Sequence, residues 1–246
     1  MEEIKYKSLD QLTSKQLEQY RETVQSAFPP IILNSELIIN SWAKIETYFP
    51  KHQIYALDTN DDVIGFANTI PFYWDQAASN LPNDGWDWLV RKGISDHESK
   101  VQANSLGGLQ IIVSKQFLGQ GYSKILIGAA KQLKENYNYE NLLIPIRPTL
   151  KHQHPSMPMI EYIEYKKNNK IYDPWIRTHI KSGASIVKIC HNSMNVKGPI
   201  EFWEKLYESK IEKSGPLLVK GALSPVHIDL DNNLGEYQEP NIWISY

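Results

Sequence analysis

One segment constrains the fold of this chain more than any other, because it joins an apolar strand to a helix through two closely spaced glycines. It covers residues 109–124 and reads LQIIVSKQFLGQGYSK. Glycine lets the backbone turn tightly and approach a ligand, and the first amides of the following helix have no acceptors within that helix. Such free amides, together with the helix dipole, bind anions and most often phosphate. The sequence therefore predicts a phosphate-binding turn at Gly119 and Gly121.

Two common nucleotide-binding motifs do not fit this segment. The chain has no G-x-x-x-x-G-K-[ST] string. A dinucleotide fingerprint needs Gly or Ala where Lys124 stands, and it opens a βαβ unit rather than following two helices and a hairpin. The segment instead resembles motif A of the GNAT N-acetyltransferase superfamily, [Q/R]-x-x-G-x-[G/A], with Gly121, Tyr122 and Ser123 at the last three positions. It departs from that motif at Leu118, where the family has Gln or Arg, and at Ser123, where it has Gly or Ala.

The resemblance to GNAT proteins implies both a fold and a donor site. The implied fold is of the α/β (α+β) class, with a mixed, mostly antiparallel sheet that is flanked by helices and splays open between its fourth and fifth strands. The donor, acetyl-CoA or another acyl-CoA, would place its diphosphate on the turn and its thioester beside the fourth strand. The residues expected to bind it are Ile111, Ile112, Val113, Leu118, Gly119, Gln120, Gly121, Tyr122, Ser123 and Lys124.

A proline supplies an independent physical reason for such an opening. Residues 142–146 form a short apolar strand that contains Pro145. Proline has no amide hydrogen, so this strand cannot complete a hydrogen-bonded ladder on both of its edges. We therefore expect the sheet to open beside Pro145, although the same pattern is also typical of an edge strand.

Hydrophobic periodicity and turn signals predict the other elements. The predicted helices cover residues 13–27, 34–49, 122–137, 173–182 and 200–209. The predicted strands cover residues 52–57, 63–70, 107–113, 142–146, 185–189 and 242–245. Residues 71–97 show no clear period, so they are predicted to form a long loop with a short helix near residues 85–90.

Several further strings are similar to a bacterial subgroup of GNAT proteins. They lie at residues 81–88, 146–152, 173–179 and 239–243, and so span most of the chain. We therefore predict one domain over residues 1–246, with an extended C-terminal part from about residue 190.

Acyl transfer to an amine needs a neutral amine, stabilisation of the charge on the thioester oxygen, and a proton for the leaving thiolate. The resemblance implies that an amide within residues 111–113 polarises the carbonyl. It also implies an acid four residues before the glycine that ends the late helix; that glycine is Gly183, so His179 is the candidate. The alternative is a helix histidine that only satisfies a neighbouring polar group. Further candidates are Tyr172, Tyr162 and Tyr165 as acids, and Glu161 and Glu164 as bases.

Two arginines flank the predicted site, in a chain where only four of the 26 cationic residues are arginines. Arg147 follows the fifth strand, and Arg177 lies close to the candidate acid. A guanidinium binds a carboxylate or phosphate through two parallel hydrogen bonds, so we expect both arginines to grip an acidic group of the acceptor. The alternative is that they pair with Asp173 or Glu161. The other residues expected to contact the acceptor are Trp86 and Trp88, as a lid, together with Lys151 and Trp175.

Composition argues against several other classes of protein. The net charge of -2 disfavours binding to nucleic acid or a membrane surface through bulk electrostatics. The single cysteine, Cys190, builds no disulfide framework, and His152 with His154 is a weak ligand pair, so no metal is expected. The apolar runs are far shorter than the roughly 20 residues of a membrane helix. No basic segment leads from Met1 into an apolar stretch, so we expect no signal peptide and a cytoplasmic protein.

These features together predict an N-acyltransferase that moves an acyl group, acetyl in the first instance, from acyl-CoA directly to an amine of a small molecule. Two alternatives stay open. One is a transferase of the same fold whose donor is borne by a carrier protein or by tRNA. The other is a catalytically silent CoA-binding module, which is favoured if His179 points into the core. No membrane partner is expected, and a homodimer is compatible with the sequence.

Overall fold

A computed structural model describes residues 4–246, which form a mixed sheet with helices on both faces. The signal-peptide expectation concerns the first residues of the chain, and residues 1–3 lie outside the described part. The strands are β1 (Lys5–Ser8), β2 (Gln53–Leu57), β3 (Val63–Phe72), β4 (Ser105–Val113), β5 (Asn141–Ile146), β6 (Lys166–Lys167), β7 (Lys170–Ile171), β8 (Ser185–Gly198), β9 (Gly215–Leu217), β10 (Val226–Asp229) and β11 (Leu234–Ser245). The helices are α1 (Ser14–Ala27), α2 (Pro30–Leu33), α3 (Glu36–Tyr48), α4 (Gly85–Glu98), α5 (Tyr122–Asn136), α6 (Met159–Glu164), α7 (Pro174–Lys181) and α8 (Ile200–Tyr207).

The main sheet has the strand order β1-β2-β3-β4-β5-β11-β10-β9, and β8 pairs with β11. Every neighbouring pair in it is antiparallel except β4 and β5, which are parallel. The expected mixed, mostly antiparallel sheet is therefore confirmed. β6 and β7 form a separate hairpin.

The sheet opens between β4 and β5, as the proline predicted. The parallel pairing covers only residues 105–107 of β4 and residues 141–143 of β5. Pro145 lies beyond this point and is in register with Trp243 of β11, on the other edge of β5. Because proline offers no amide hydrogen, the edge of β5 that faces β4 stays unpaired where the two strands diverge.

Alternate residues of the strands face different helices, as the two-residue period of a strand requires. In β2, Tyr55 packs against Tyr20 of α1, whereas Ile54 packs with Leu126 of α5. α4 contacts β3 on the face of the sheet that also carries α1. The buried residues of α4 belong to the same hydrophobic core as Ile70 of β3. α7 contacts α5 on the opposite face. The open part of the sheet thus lies between α1, α3 and α4 on one face and α5 and α7 on the other.

The predicted loop over residues 71–97 is wrong in its main part. β3 continues to Phe72, and α4 covers Gly85–Glu98. A helical period is present there, since Trp86, Leu89, Val90 and Ile94 are all buried on one side. The intervening Asp and Gly residues conceal that period in the sequence.

The other predicted helices agree with the structure within a few residues, and their capping residues explain where they begin. The Thr13 hydroxyl accepts the amide of Gln16 at the start of α1. Asp173 caps α7 by accepting the amides of Trp175 and Ile176. β8 and β11 are longer than predicted, because they pair with each other over most of their lengths. None of the helices within residues 4–246 combines the length and the apolar character that spanning a bilayer requires.

Candidate active site

The candidate site is a cleft of about 1010 Å³ that opens where β4 and β5 separate. Residues 108–113 of β4 line one side and residues 144–146 of β5 line the other. The cleft also touches α1 and α3 on one face of the sheet and Trp175 of α7 on the opposite face. It therefore passes through the sheet, so that two molecules can approach each other from opposite faces.

The glycine turn begins at the wall of this cleft. Leu118 lines the cleft, and Gly119 and Gly121 follow with φ angles of 78° and 86°. Gly121 is the N-cap of α5, and a Cβ on either glycine would meet nothing within 4 Å. Within residues 4–246, no protein acceptor takes the amide hydrogens of residues 119–123. The turn is thus open and presents a row of free donors, which is the arrangement an anion requires.

A β-bulge in β4 faces the same cleft. The register between β3 and β4 shifts between Asn68 and Thr69, which leaves Leu109 without an opposite residue. The indole Nε1 of Trp86 donates to the carbonyl oxygen of Leu109 at 2.9 Å and holds the bulge in place. Beyond Gly107 no strand of the described chain pairs with the β5 edge of β4, so amides on that edge are available to a carbonyl oxygen in the cleft.

The structure places some of the expected site residues in the cleft and others outside it. Those that line it are Ile111, Ile112, Val113, Leu118, Trp86, Arg147 and Trp175. Gly119, Gln120, Gly121, Tyr122, Ser123 and Lys124 follow Leu118 directly in the chain but do not line the cavity itself. The residues that lie away from it are His179, Tyr172, Trp88, Lys151 and Arg177.

His179, the predicted general acid, does not line the cleft. Its side chain is 0% exposed, and its Nδ1 lies 2.6 Å from the hydroxyl of Tyr246. Trp175, which lines the cleft, packs edge-on against the ring of His179. Burial lowers the pKa of His179 to about 3, so the imidazole is neutral at physiological pH. Tyr172, the other expected acid, donates instead to Gln153 outside the cleft.

The two arginines have different surroundings, and neither pairs with the partners that the sequence suggested. Arg147 lines the cleft, and its Nε lies 3.1 and 3.0 Å from the two carboxylate oxygens of the buried Glu239. Its Nη2 donates to Gly221 O at 2.6 Å, which leaves Nη1 without a protein partner within residues 4–246. Arg177 instead donates through Nη1 to the carbonyl oxygens of Ile171 and Tyr172 in the preceding loop, and it does not line the cleft.

Lys151 and Trp88 are structural residues. Lys151 is 1% exposed and donates to the carbonyl oxygens of His154 and Leu223, both at 2.7 Å. Burial lowers its pKa to about 8. Trp88 packs edge-on against Phe72 and other aromatic rings of the core. Of the two tryptophans predicted to contact the acceptor, Trp86 lines the cleft, whereas Trp88 packs in the core.

The reserve candidates also lie away from the cleft. Tyr162 is buried and donates to Asp173 at 2.9 Å. Tyr165, Glu161 and Glu164 do not line the cavity. Cys190 is buried, and burial raises the pKa of its thiol to about 12. Residues 4–246 contain no cluster of His, Cys, Asp or Glu side chains suited to a metal ion.

Sequence reasoning missed several residues that shape the cleft. Tyr20, Trp42 and Glu46 line it from α1 and α3, although they read as ordinary helix-face residues. Asn241 lines it from β11 and donates to Glu239 at 3.2 Å. The only sequence signal was the string at residues 239–243, which indicated a subgroup but no role.

Comparison with known proteins agrees with the fold. No protein-family model matches the chain. A curated protein from Aspergillus versicolor, named arginine N-acetyltransferase avaD, is 27% identical over an alignment of 249 positions, which covers 90% of this chain and 85% of that protein. The structure of the loading GNATL domain of CurA from Lyngbya majuscula matches with a TM-score of 0.62 and 14% identity, covering 99% of this chain and 97% of that one.

A second solved structure, the GphF GNAT-like decarboxylase in complex with isobutyryl-CoA, matches with a TM-score of 0.60 and 12% identity, covering 99% and 98% of the two chains. At such identities the likeness shows the fold alone. The fold implied by the resemblance to GNAT proteins is confirmed.

Proposed function

We propose that this chain, which belongs to the GNAT N-acetyltransferase superfamily and is an acyltransferase of that type, moves an acetyl group from acetyl-CoA directly to the amine of a small molecule. One observation carries the proposal. The cleft between β4 and β5 starts beside an open glycine turn and passes through the sheet to the face that carries α1, α3 and α4. This arrangement supports a donor held at the turn and an acceptor held on the opposite face.

Each part of the cleft has a role in the proposed transfer. The free amides of residues 119–123 would hold the diphosphate of the donor. Unpaired amides of β4 near Leu109 would stabilise the negative charge that develops on the thioester oxygen. The amine nitrogen forms a bond to the carbonyl carbon as the carbon–sulfur bond breaks. The nitrogen loses one proton and the sulfur gains one, so the reaction balances without a further reactant.

The acceptor is proposed from the named relative together with the charges of the cleft. The similar protein from Aspergillus versicolor is named an arginine N-acetyltransferase, so arginine is the first acceptor to test. The unpartnered Nη1 of Arg147 supports a carboxylate-bearing acceptor, because a guanidinium donor in a cleft favours an anionic group.

Calorimetry with acetyl-CoA, followed by a free-thiol assay with arginine as acceptor, tests the proposal. We expect saturable binding of acetyl-CoA and thiol release that depends on the amine. No binding at millimolar acetyl-CoA would contradict the proposal. Binding without transfer to any of a panel of amines would instead support the silent CoA-binding module.

A further inference from the structure

The charged residues that line the cleft are strongly unequal in sign. Among the described residues, three arginine or lysine residues line it, namely Arg21, Lys115 and Arg147. Glu46 of α3 is the one carboxylate. A single anion in a cleft that otherwise attracts anions needs a physical explanation.

The positions of the three cationic residues in the fold differ. Lys115 directly follows the end of β4 and precedes the glycine turn by a few residues. α1, which carries Arg21, is tied to the same end of β4 by the 3.3 Å contact between the hydroxyls of Thr23 and Ser114. Lys115 therefore lies close to the turn where the donor's phosphates are proposed to bind, whereas Arg21 lies on α1, beside the same end of β4. Arg147 pairs through Nε with Glu239 and keeps Nη1 without a protein partner within residues 4–246.

Glu46, by contrast, has no cationic partner. No Lys, Arg or His nitrogen within residues 4–246 lies within 4.0 Å of its carboxylate. The indole Nε1 of Trp42 donates to its Oε1 at 3.1 Å and to the hydroxyl of Tyr20 at 2.8 Å. Trp42 thereby fixes one oxygen of Glu46 against the cleft wall and leaves Oε2 without a protein partner in the described part of the chain.

The surroundings of Glu46 suit a cation better than water. A half-buried carboxylate with a free oxygen loses part of its hydration and gains from a charged donor. The side chains of Tyr20, Trp42 and Trp86 line the same cavity, and aromatic faces attract guanidinium and ammonium groups. Burial raises the pKa of Tyr20, with smaller contributions from Tyr55 and Glu46, so its hydroxyl stays protonated and adds no second negative charge.

We propose that Glu46 binds a cationic group of the acceptor that does not react, such as a guanidinium, and so selects amines that carry a second positive charge. The inference rests on the proposed acetyltransferase function and deepens it by naming the class of acceptor. In this arrangement the reacting amine is the neutral one, while the second cation stays paired with Glu46 throughout the transfer. Glu46 is thus a specificity residue and takes no proton.

The test compares arginine with citrulline as acceptors, because the two share the α-amine and the carboxylate and differ in the charge of the side chain. The variant is Glu46→Gln, which keeps an oxygen for the Trp42 indole and removes the charge. Glu36→Gln is the matched control, since Glu36 is an exposed carboxylate on the same helix and does not line the cleft. Acetyl-CoA affinity is measured for every variant.

We expect Glu46→Gln to lower kcat/KM for arginine by roughly 10- to 100-fold, mainly through KM, as loss of a charge-assisted hydrogen bond predicts. The kcat/KM for citrulline and the affinity for acetyl-CoA should stay unchanged, and Glu36→Gln should behave as the wild type. An unchanged arginine-to-citrulline preference in an active Glu46→Gln enzyme would overturn this inference and leave the proposed function standing. A wild-type protein that acetylates citrulline as well as arginine would also overturn it. Absence of acetyl-CoA binding or of transfer to any amine would overturn both.

Discussion

Replacement of Arg147 by methionine is expected to destabilise the protein, because it leaves a charged carboxylate unpaired in the core. Glu239 is 0% exposed, and within residues 4–246 Arg147 is its one cationic partner. Methionine keeps much of the apolar stem of arginine and removes the guanidinium. The contact with the carbonyl oxygen of Gly221 is lost as well.

The magnitude follows from the surroundings of the pair. Removing one partner of a buried ion pair costs about 3–5 kcal/mol of unfolding free energy. Tyr237 and Asn241 still donate to Glu239 in the variant, at 2.8 and 3.2 Å. The side chain of Arg147 is 19% exposed, so water from the cleft can reach the vacated position. Both effects place the expected loss near the lower end of the range, at about 3 kcal/mol.

Urea unfolding at neutral pH measures this loss. The double variant Arg147→Met/Glu239→Gln should recover at least half of it, because the buried charge is gone. Lys205→Met is the control, since Lys205 pairs with Glu201 on the surface and its removal should cost under about 0.5 kcal/mol. A loss below about 1 kcal/mol for Arg147→Met, or a double variant no more stable than the single one, would refute the reasoning.

Two further predictions concern the turn and the buried histidines. Gly121→Ala should weaken acetyl-CoA binding in calorimetry and lower the free energy of unfolding by about 1–2 kcal/mol, because Gly121 has a φ of 86°. Gly128→Ala is the control and should be neutral or slightly stabilising, since Gly128 is exposed in the helix that follows the turn and has open space around it. Equal effects of the two substitutions on binding would contradict the role of the turn. Burial lowers the pKa of His52 to about 4 and that of His179 to about 3, so the folded protein keeps both neutral while the unfolded chain takes up protons below about pH 6.5. The free energy of unfolding should therefore fall as the pH drops below about 6.5, by up to roughly 1.4 kcal/mol per pH unit for each histidine. His179→Asn should remove one histidine's share of this dependence in urea titrations at acidic pH and leave kcat unchanged, so an undiminished slope or a large loss of turnover would count against the burial of His179.

The parts of the site that depend on neighbouring residues could be predicted from the sequence. The turn at Gly119 and Gly121 follows from glycine's access to positive φ, and the helix after it follows from its periodicity. The opening of the sheet follows from the missing amide hydrogen of Pro145. In each case the cause is a backbone or hydrogen-bonding property of one strand, one turn or one pair of strands.

The acceptor side of the cleft could not be predicted in this way. Glu46 and Trp42 looked like surface and core positions of an ordinary amphipathic helix, and only the packing of α3 over the opened sheet turns them toward the cavity. His179 stood where a family pattern expects an acid, but the position of a residue in a motif does not determine its burial.

The sequence predicted the glycine turn and the split between β4 and β5, and its resemblance to GNAT proteins implied the proposed class of reaction. Tertiary structure decided which buried polar groups pair. Arg147 pairs with Glu239, 92 residues away, and His179 meets Tyr246, 67 residues away. Local rules of helices and strands act over a few residues, whereas a partner so distant in the chain is chosen only when separate elements pack together and desolvate both groups at once.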